Sequence, residues 1–195
     1  MSRSMLRLSW VRVWLIALTV SLGLGTTEPA QADDTAKAVL AIMNAARAKA
    51  GCGPLKLNPK LMAAAKSHAK AMAEKNFFGH KGKDGSKPGS RAKRQGYKYH
   101  IFAENIAAGQ SSAEAAAQSW LSSSGHRKNI LNCKLKDTGI AVAYQSDDGP
   151  IYGNSKPYYY YWVQDFGAPC RDACSSTPTP APSRRRQSVS PPGLA

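Results

Sequence analysis

The chain is short of acids, short of cysteines and almost without long apolar runs. Each shortage closes off a class of protein. Asp and Glu number 12 against 27 Lys and Arg, a formal charge of +15. That balance favours anionic partners over cationic ones. There are only four cysteines and no paired Cys-x-x-Cys arms, which argues against a structural zinc module. Beyond Leu24 no segment is long and apolar enough to cross a bilayer. No Ser or Cys stands in a nucleophile motif. Ser122, Ser123 and Ser124 lie near His126, but no oxyanion-hole signature accompanies them. Internal repeats and regular nucleic-acid modules are absent, and aromatics are not interleaved with the basic residues.

What is present reads as one domain with appendages in 195 residues. Arg3, Arg7 and Arg12 precede and enter an apolar run from Val13 to Leu24, and Ala30-Gln31-Ala32 follows. A basic start, an apolar centre and a small-residue end predict a secretory signal peptide over residues 1–32, with an uncleaved anchor as the alternative. Cys52, Cys133, Cys170 and Cys174 fit an exported, oxidised chain. Of the three pairings, Cys52–Cys133 and Cys170–Cys174 are favoured. Residues 175–195 are rich in Ser, Thr, Pro and Arg and predict a disordered tail. No Cys follows Ala32 to accept lipid, and no sorting motif precedes an apolar tail. Release outside the cytoplasm is therefore expected.

Periodicity predicts a helix over Thr35–Ala50, capped by Asp33 or Asp34, with Val39, Leu40, Met43 and Ala46 on one face. Asn58-Pro59 starts a second helix reaching about Lys75, burying Leu61, Ala64, Ala65, His68 and Met72. A lone His on that apolar face reads as core rather than ligand. Lys81–Gly89 is a polar loop, Ser90–Gln95 a short helix and Tyr99–Ala107 an extended piece. Ser112 caps a helix to Leu121. Ser124-Gly125 breaks it, and His126–Leu131 makes another helical turn. Thr138–Tyr144 and Tyr158–Phe166 alternate as strands. Of the aromatic run Tyr158–Trp162, one set of alternate residues is expected in the core and the other along a cleft or groove. The fold class is α+β.

Three fragments carry the chemistry: Phe77-Phe78-Gly79-His80, Ala103-Glu104-Asn105-Ile106-Ala107 and Ser124-Gly125-His126-Arg127-Lys128-Asn129. Each sets a His or Glu at the edge of an apolar patch. His80, Glu104 and His126 form a His₂Glu set that suits Zn²⁺ or another divalent cation with a position left open. Such a set can activate water for hydrolysis. Without metal, Glu104 is a candidate base and His126 a candidate partner. The structural alternative is that His and Glu hydrogen-bond each other and hold helices to sheet. Asn105 and Asn129 adjoin the set as orienting donors. From Lys56 to Lys98 there are twelve basic residues and two acids, flanking His80. This block is either a solvated face or a steering surface for anionic partners.

In order and content the fragments resemble the CAP superfamily (the SCP domain of cysteine-rich secretory, venom-allergen and pathogenesis-related proteins), in its short bacterial secreted branch. The resemblance runs from about Ala36 to Phe166. It rests on Asn44-Ala45-Ala46-Arg47, Pro54-Leu55, Phe78-Gly79-His80, Ala103–Gly109, Trp120, Gly125–Leu131 and Tyr161–Gly167. It implies a three-layer α-β-α sandwich over residues 33–174 and a cleft lined by His80, Glu104 and His126. Eukaryotic-type members add a second Glu shortly after the Trp; here Leu121-Ser122-Ser123-Ser124 follows Trp120 and carries no acid. The expected function is a secreted monomer binding a small molecule, lipid or anionic envelope polymer in that cleft, with a divalent cation as a candidate cofactor. The alternatives are a metal-dependent hydrolase using the same three residues and an electrostatic binder of envelope polymers or lipids. A dedicated enzyme is the less expected outcome.

Overall fold

The computed structural model describes residues 28–151 and 153–170. Its elements are α1 (Glu28–Lys49), β1 (Lys56–Leu57), α2 (Pro59–Glu74), α3 (Pro88–Arg94), β2 (Tyr99–Ala108), α4 (Ala113–Ser122), α5 (Ser124–Ile130), β3 (Asp137–Tyr144) and β4 (Tyr160–Pro169). Residues 1–27 of the expected signal peptide (1–32) and the expected tail 175–195 lie outside the described residues.

The strands form one sheet in the order β1-β3-β4-β2, antiparallel except for the β1–β3 pair. Strand alternation sends Trp162 and Phe166 to one face and Tyr161 and Val163 to the other. Trp162 and Phe166 pack with Val39 and Met43 of α1, Trp120 of α4 and Ile130 of α5. Tyr161 and Val163 pack with Ala65, Ala69 and Met72 of α2. Helices cover both faces, which is the three-layer α-β-α sandwich expected. Both alternate sets of the aromatic run are consequently core at this point: Tyr161 and Trp162 are each fully buried.

Two glycines let the layers meet. A Cβ on Gly139 of β3 would lie 2.1 Å from the backbone of Leu61 in α2, and one on Gly167 of β4 would run into the Tyr97 ring. Asn58 caps α2 by accepting from the Lys60 amide, with Pro59 at the first turn. Ser112 caps α4 in the same way, accepting from the Ala115 amide.

Several boundaries differ from expectation for identifiable reasons. α1 starts at Glu28, ahead of the expected cap, because Asp33 and Asp34 are not caps. They lie within the helix and pair with Lys37 at 3.3 Å each, at the four- and three-residue spacings that support helix. The break between α4 and α5 falls at Ser123, which is extended, so Ser124 and Gly125 belong to α5. β4 begins at Tyr160, not Tyr158, because Tyr159 adopts φ 62°. Asp148 holds that corner by accepting from the amides of Tyr158 and Tyr159 and from the Tyr161 hydroxyl. β1 is too short to show a period.

Two ties fasten α1 to the segment after α5. Cys52 and Cys133 form the expected disulfide. Cys170 is also disulfide-bonded, and Cys174, its expected partner, lies outside the described residues. The second tie is Arg47, which is fully buried and forms no salt bridge among the described residues. Its guanidinium donates to the carbonyls of Gly53, Ile130, Asn132 and Leu135 at 2.7–3.0 Å. Asn44, one turn earlier, pairs with both backbone groups of Leu55.

Arg47→Ala is expected to lower the unfolding free energy by about 3 kcal/mol or more, because each buried carbonyl left without a donor costs about 1–3 kcal/mol. Urea denaturation checks it, and Arg47→Lys should recover only part, since an ammonium cannot reach four carbonyls at once. Removing the bridge with Cys52→Ala/Cys133→Ala should cost about 2–5 kcal/mol, as expected for a bond across 81 residues. A melting temperature unchanged from the oxidised wild type would contradict that.

Candidate functional site

The site is built on β2, the edge strand. Consecutive residues of a strand point to opposite faces. Glu104 therefore shares a face with Ile106 and meets α3 and the loop after α2. Asn105 shares a face with Ala107 and meets α5. Each of these neighbouring residues holds one of the expected histidines.

Glu104 takes His80. The distance from His80 Nδ1 to Glu104 Oε1 is 2.8 Å, and Arg91 Nη2 donates to Glu104 Oε2 at 2.6 Å. The side chains of Glu104 and Arg91 are 2% and 4% exposed, whereas that of His80 is 53% exposed. Burial alone raises Glu104. The hydrogen bond from His80 and the charge of Arg91 outweigh it and hold the carboxyl below its usual range. An ionised carboxylate only accepts, so His80 Nδ1 must donate, leaving Nε2 as the free atom of the ring. Arg91 also donates to the carbonyls of His80 and Ser86, so one guanidinium fixes the carboxylate and the loop carrying the imidazole.

Asn105 takes the other side. Its Nδ2 donates to the His126 carbonyl at 3.3 Å, and its Oδ1 accepts from Asn129 Nδ2 at 2.9 Å. Asn129 also reaches the Glu104 carbonyl at 3.4 Å. The two asparagines thus brace α5, and with it His126, against β2. Among the described residues His126 Nδ1 is buried with no hydrogen-bond partner. Burial, then the neighbouring His80, lowers the pKa of His126, so its ring is neutral at neutral pH. Beside the pair, Phe78 is exposed and lies 5.8 Å, ring to ring, from Tyr158. His68 is buried on α2 as core, with Nε2 2.9 Å from the Gly79 carbonyl.

A cation is the cofactor the donor types suggest, but the three-ligand set does not fit this arrangement. Both Glu104 oxygens are engaged, one by His80 and one by Arg91, whose positive charge opposes a metal at the same carboxylate. Among the described residues no three His, Cys, Asp or Glu side chains are grouped to hold a metal ion. What remains for a cation is the two imidazoles, with Glu104 behind His80 rather than on the ion, an arrangement common around metal-bound histidines.

Two residues of the site went unnoticed in the sequence. Arg91 sits in a helix too short to show a buried face. Asp165 offered a usable signal, an acid inside the strand run Trp162-Val163-Gln164-Asp165-Phe166. It lies directly across the ladder from Glu104, fully buried. Among the described residues neither of its oxygens has a partner within hydrogen-bonding geometry. Burial first, then the charge of Glu104, raises Asp165 well above the usual carboxyl range, with Arg91 opposing only in part. Its carboxyl therefore holds its proton more tightly than a free one does.

This architecture places the chain in the cysteine-rich secretory protein (CAP) family, whose model matches residues 40–166. The uncharacterized protein YkwD of Bacillus subtilis (strain 168) is 35% identical over 115 residues, covering 59% of this chain and 45% of that protein. The chain thus spans less than half the length of that relative. An extracellular SCP-domain protein from Bacillus anthracis str. Ames superposes with a TM-score of 0.58 at 26% identity, covering 70% of this chain and 41% of the other. An outer surface protein of Borrelia burgdorferi shares the fold, with a TM-score of 0.59 at 19% identity over 69% of this chain and 92% of the other.

The two buried acids act oppositely on stability. Glu104, depressed in the fold, stabilises above its unfolded pKa of about 4.3, and that contribution is lost as pH falls through its folded value. Asp165, raised in the fold, keeps a proton that the unfolded chain releases above about pH 3.9, so its contribution worsens as pH rises. Asp165→Asn is expected to be more stable than wild type at pH 7, with the gap closing toward pH 4. Urea denaturation at the two pH values checks this; a variant less stable at pH 7 would contradict it.

Proposed function

We propose that the protein is an extracytoplasmic binding protein whose ligand engages the His80 and His126 imidazoles at the edge of β2. The observation that carries this reading is the contrast in exposure along one chain of hydrogen bonds. A buried ion pair, Arg91–Glu104, ends on a histidine that is half in solvent. Burying both charges is expensive, and a hydrophobic pair of similar volume often serves stability as well. An exposed imidazole with a set tautomer adds little to packing, so its fixed orientation supports a role toward something outside the fold.

Binding is better supported than hydrolysis. Glu104, the base expected of a hydrolase, has one oxygen engaged by His80 and the other by Arg91. A divalent cation held by the two imidazoles, with the remaining positions left to water or ligand, is the chemistry the rings suit best. Export is supported by the leader-like start, by the Cys52–Cys133 bridge and by the extracellular SCP-domain protein of similar fold. No helix among the described residues is long and apolar enough to cross a membrane.

Calorimetric titration of Zn²⁺ into the chain from Asp33 onward is the test. One-to-one binding is expected in the wild type and at least about tenfold weaker binding, roughly 1.4 kcal/mol, in His80→Ala/His126→Ala. Glu104→Gln should weaken binding by about 10–100-fold through loss of ring orientation. No zinc binding by wild type, with the double variant merely less stable, would make the three residues structural.

A further inference from the structure

Behind the loop that carries His80 lies a cavity of about 350 Å³, between α2, residues 82–86 and α3. Four cationic side chains line it: Lys75 from the end of α2, Lys83 from the loop, and Arg91 and Arg94 from α3. Its one carboxylate, Asp84, is already matched. It accepts from the Ser86 amide at 3.0 Å and pairs with Arg94 at 3.5 Å. Buried His68, which also lines the cavity, has its pKa lowered by burial and by Arg91, so it brings no charge of its own at neutral pH. The hydroxyls of Ser67 and Ser86 add neutral polar groups to the wall.

The floor is Arg91, 3% exposed. Its terminal nitrogens are committed to Glu104, His80 and Ser86. Its Nε–H, by contrast, has no acceptor among the described residues. A buried donor of that kind costs about 1–3 kcal/mol. The atom itself is shielded from solvent. We infer that this cavity is a binding site for a phosphate group, distinct from the His80 edge. A multiply charged oxyanion brings several acceptors at once, enough for Lys75, Lys83 and the unmatched Arg91 donor together, as a single carboxylate does not. A water occupies about 30 Å³ in the liquid, so the space also holds part of whatever carries the phosphate. The same chemistry is offered by a free phosphate and by a phosphomonoester lipid headgroup.

Inorganic phosphate titrated into the full chain at low ionic strength, followed by calorimetry, tests the inference. Saturable one-site binding is expected, weakened at least about tenfold in Lys75→Ala/Lys83→Ala, both exposed rim residues whose loss leaves the core intact. Lys49→Ala/Lys134→Ala removes the same charge elsewhere and should change affinity less than about twofold, as should His80→Ala, which separates this site from the cleft. No saturable binding, or an equal loss in both lysine pairs, overturns the site. Vesicles containing phosphatidic acid, compared with charge-matched phosphatidylglycerol, identify the source. A preference for phosphatidic acid that Lys75→Ala/Lys83→Ala abolishes points to a lipid headgroup. Phosphate binding without vesicle binding points to a soluble phosphate. Vesicle binding that the variant retains in full lies elsewhere on the surface and counts against the inference.

Discussion

The site depends on one buried ion pair. Arg91 and Glu104 are both nearly inaccessible, and neither charge is tolerable there alone. Their mutual commitment has consequences in three directions. It keeps Glu104 ionised where burial would protonate it, so that His80 has an anion to face. It leaves Asp165, across the ladder, as the one of two adjacent carboxyls that is pushed upward. It also draws the carbonyls of His80 and Ser86 onto the same guanidinium, tying the loop after α2 to α3. A carboxylate, an imidazole and a loop thus share one support, and α3, although only seven residues long, is indispensable because it carries that support.

The second constraint is the register of β2. Glu104 and Asn105 divide the work between the two faces of the sheet, one toward His80 and one toward α5. A slip of one residue would exchange their faces and dismantle both halves together. Ladder pairing from Phe102 to Ala108 against β4, with Gly139 and Gly167 letting helix and ring close on the sheet, holds that register.

Much of this was legible from residue order. The caps at Asn58 and Ser112 and the core positions on α2 follow from local chemistry, the Cys52–Cys133 bridge was one of three open pairings, and the ordered fragments around His80, Glu104 and His126 led to the family and its layered fold. The rest depends on contacts between distant segments. Nothing near Asp33 announces that it lies inside a helix, because pairing with Lys37 competes with capping. β1 has two residues and borrows its existence from β3. Arg91 reads as one more member of a basic block, and only its burial distinguishes it from Lys93 and Arg94. The grouping of His80 with Glu104 was legible. That Glu104 would be saturated by an arginine, and so stand behind the histidine, was not.

Arg47 and the disulfide join the same two stretches of chain, one by polar contacts and the other by a covalent bond. The guanidinium gathers the carbonyls of Gly53, Ile130, Asn132 and Leu135 without any oxidant. Cys52 immediately precedes Gly53, and Cys133 lies between Asn132 and Leu135. These polar contacts join the stretches without the bridge, so a reduced chain keeps one of the two ties.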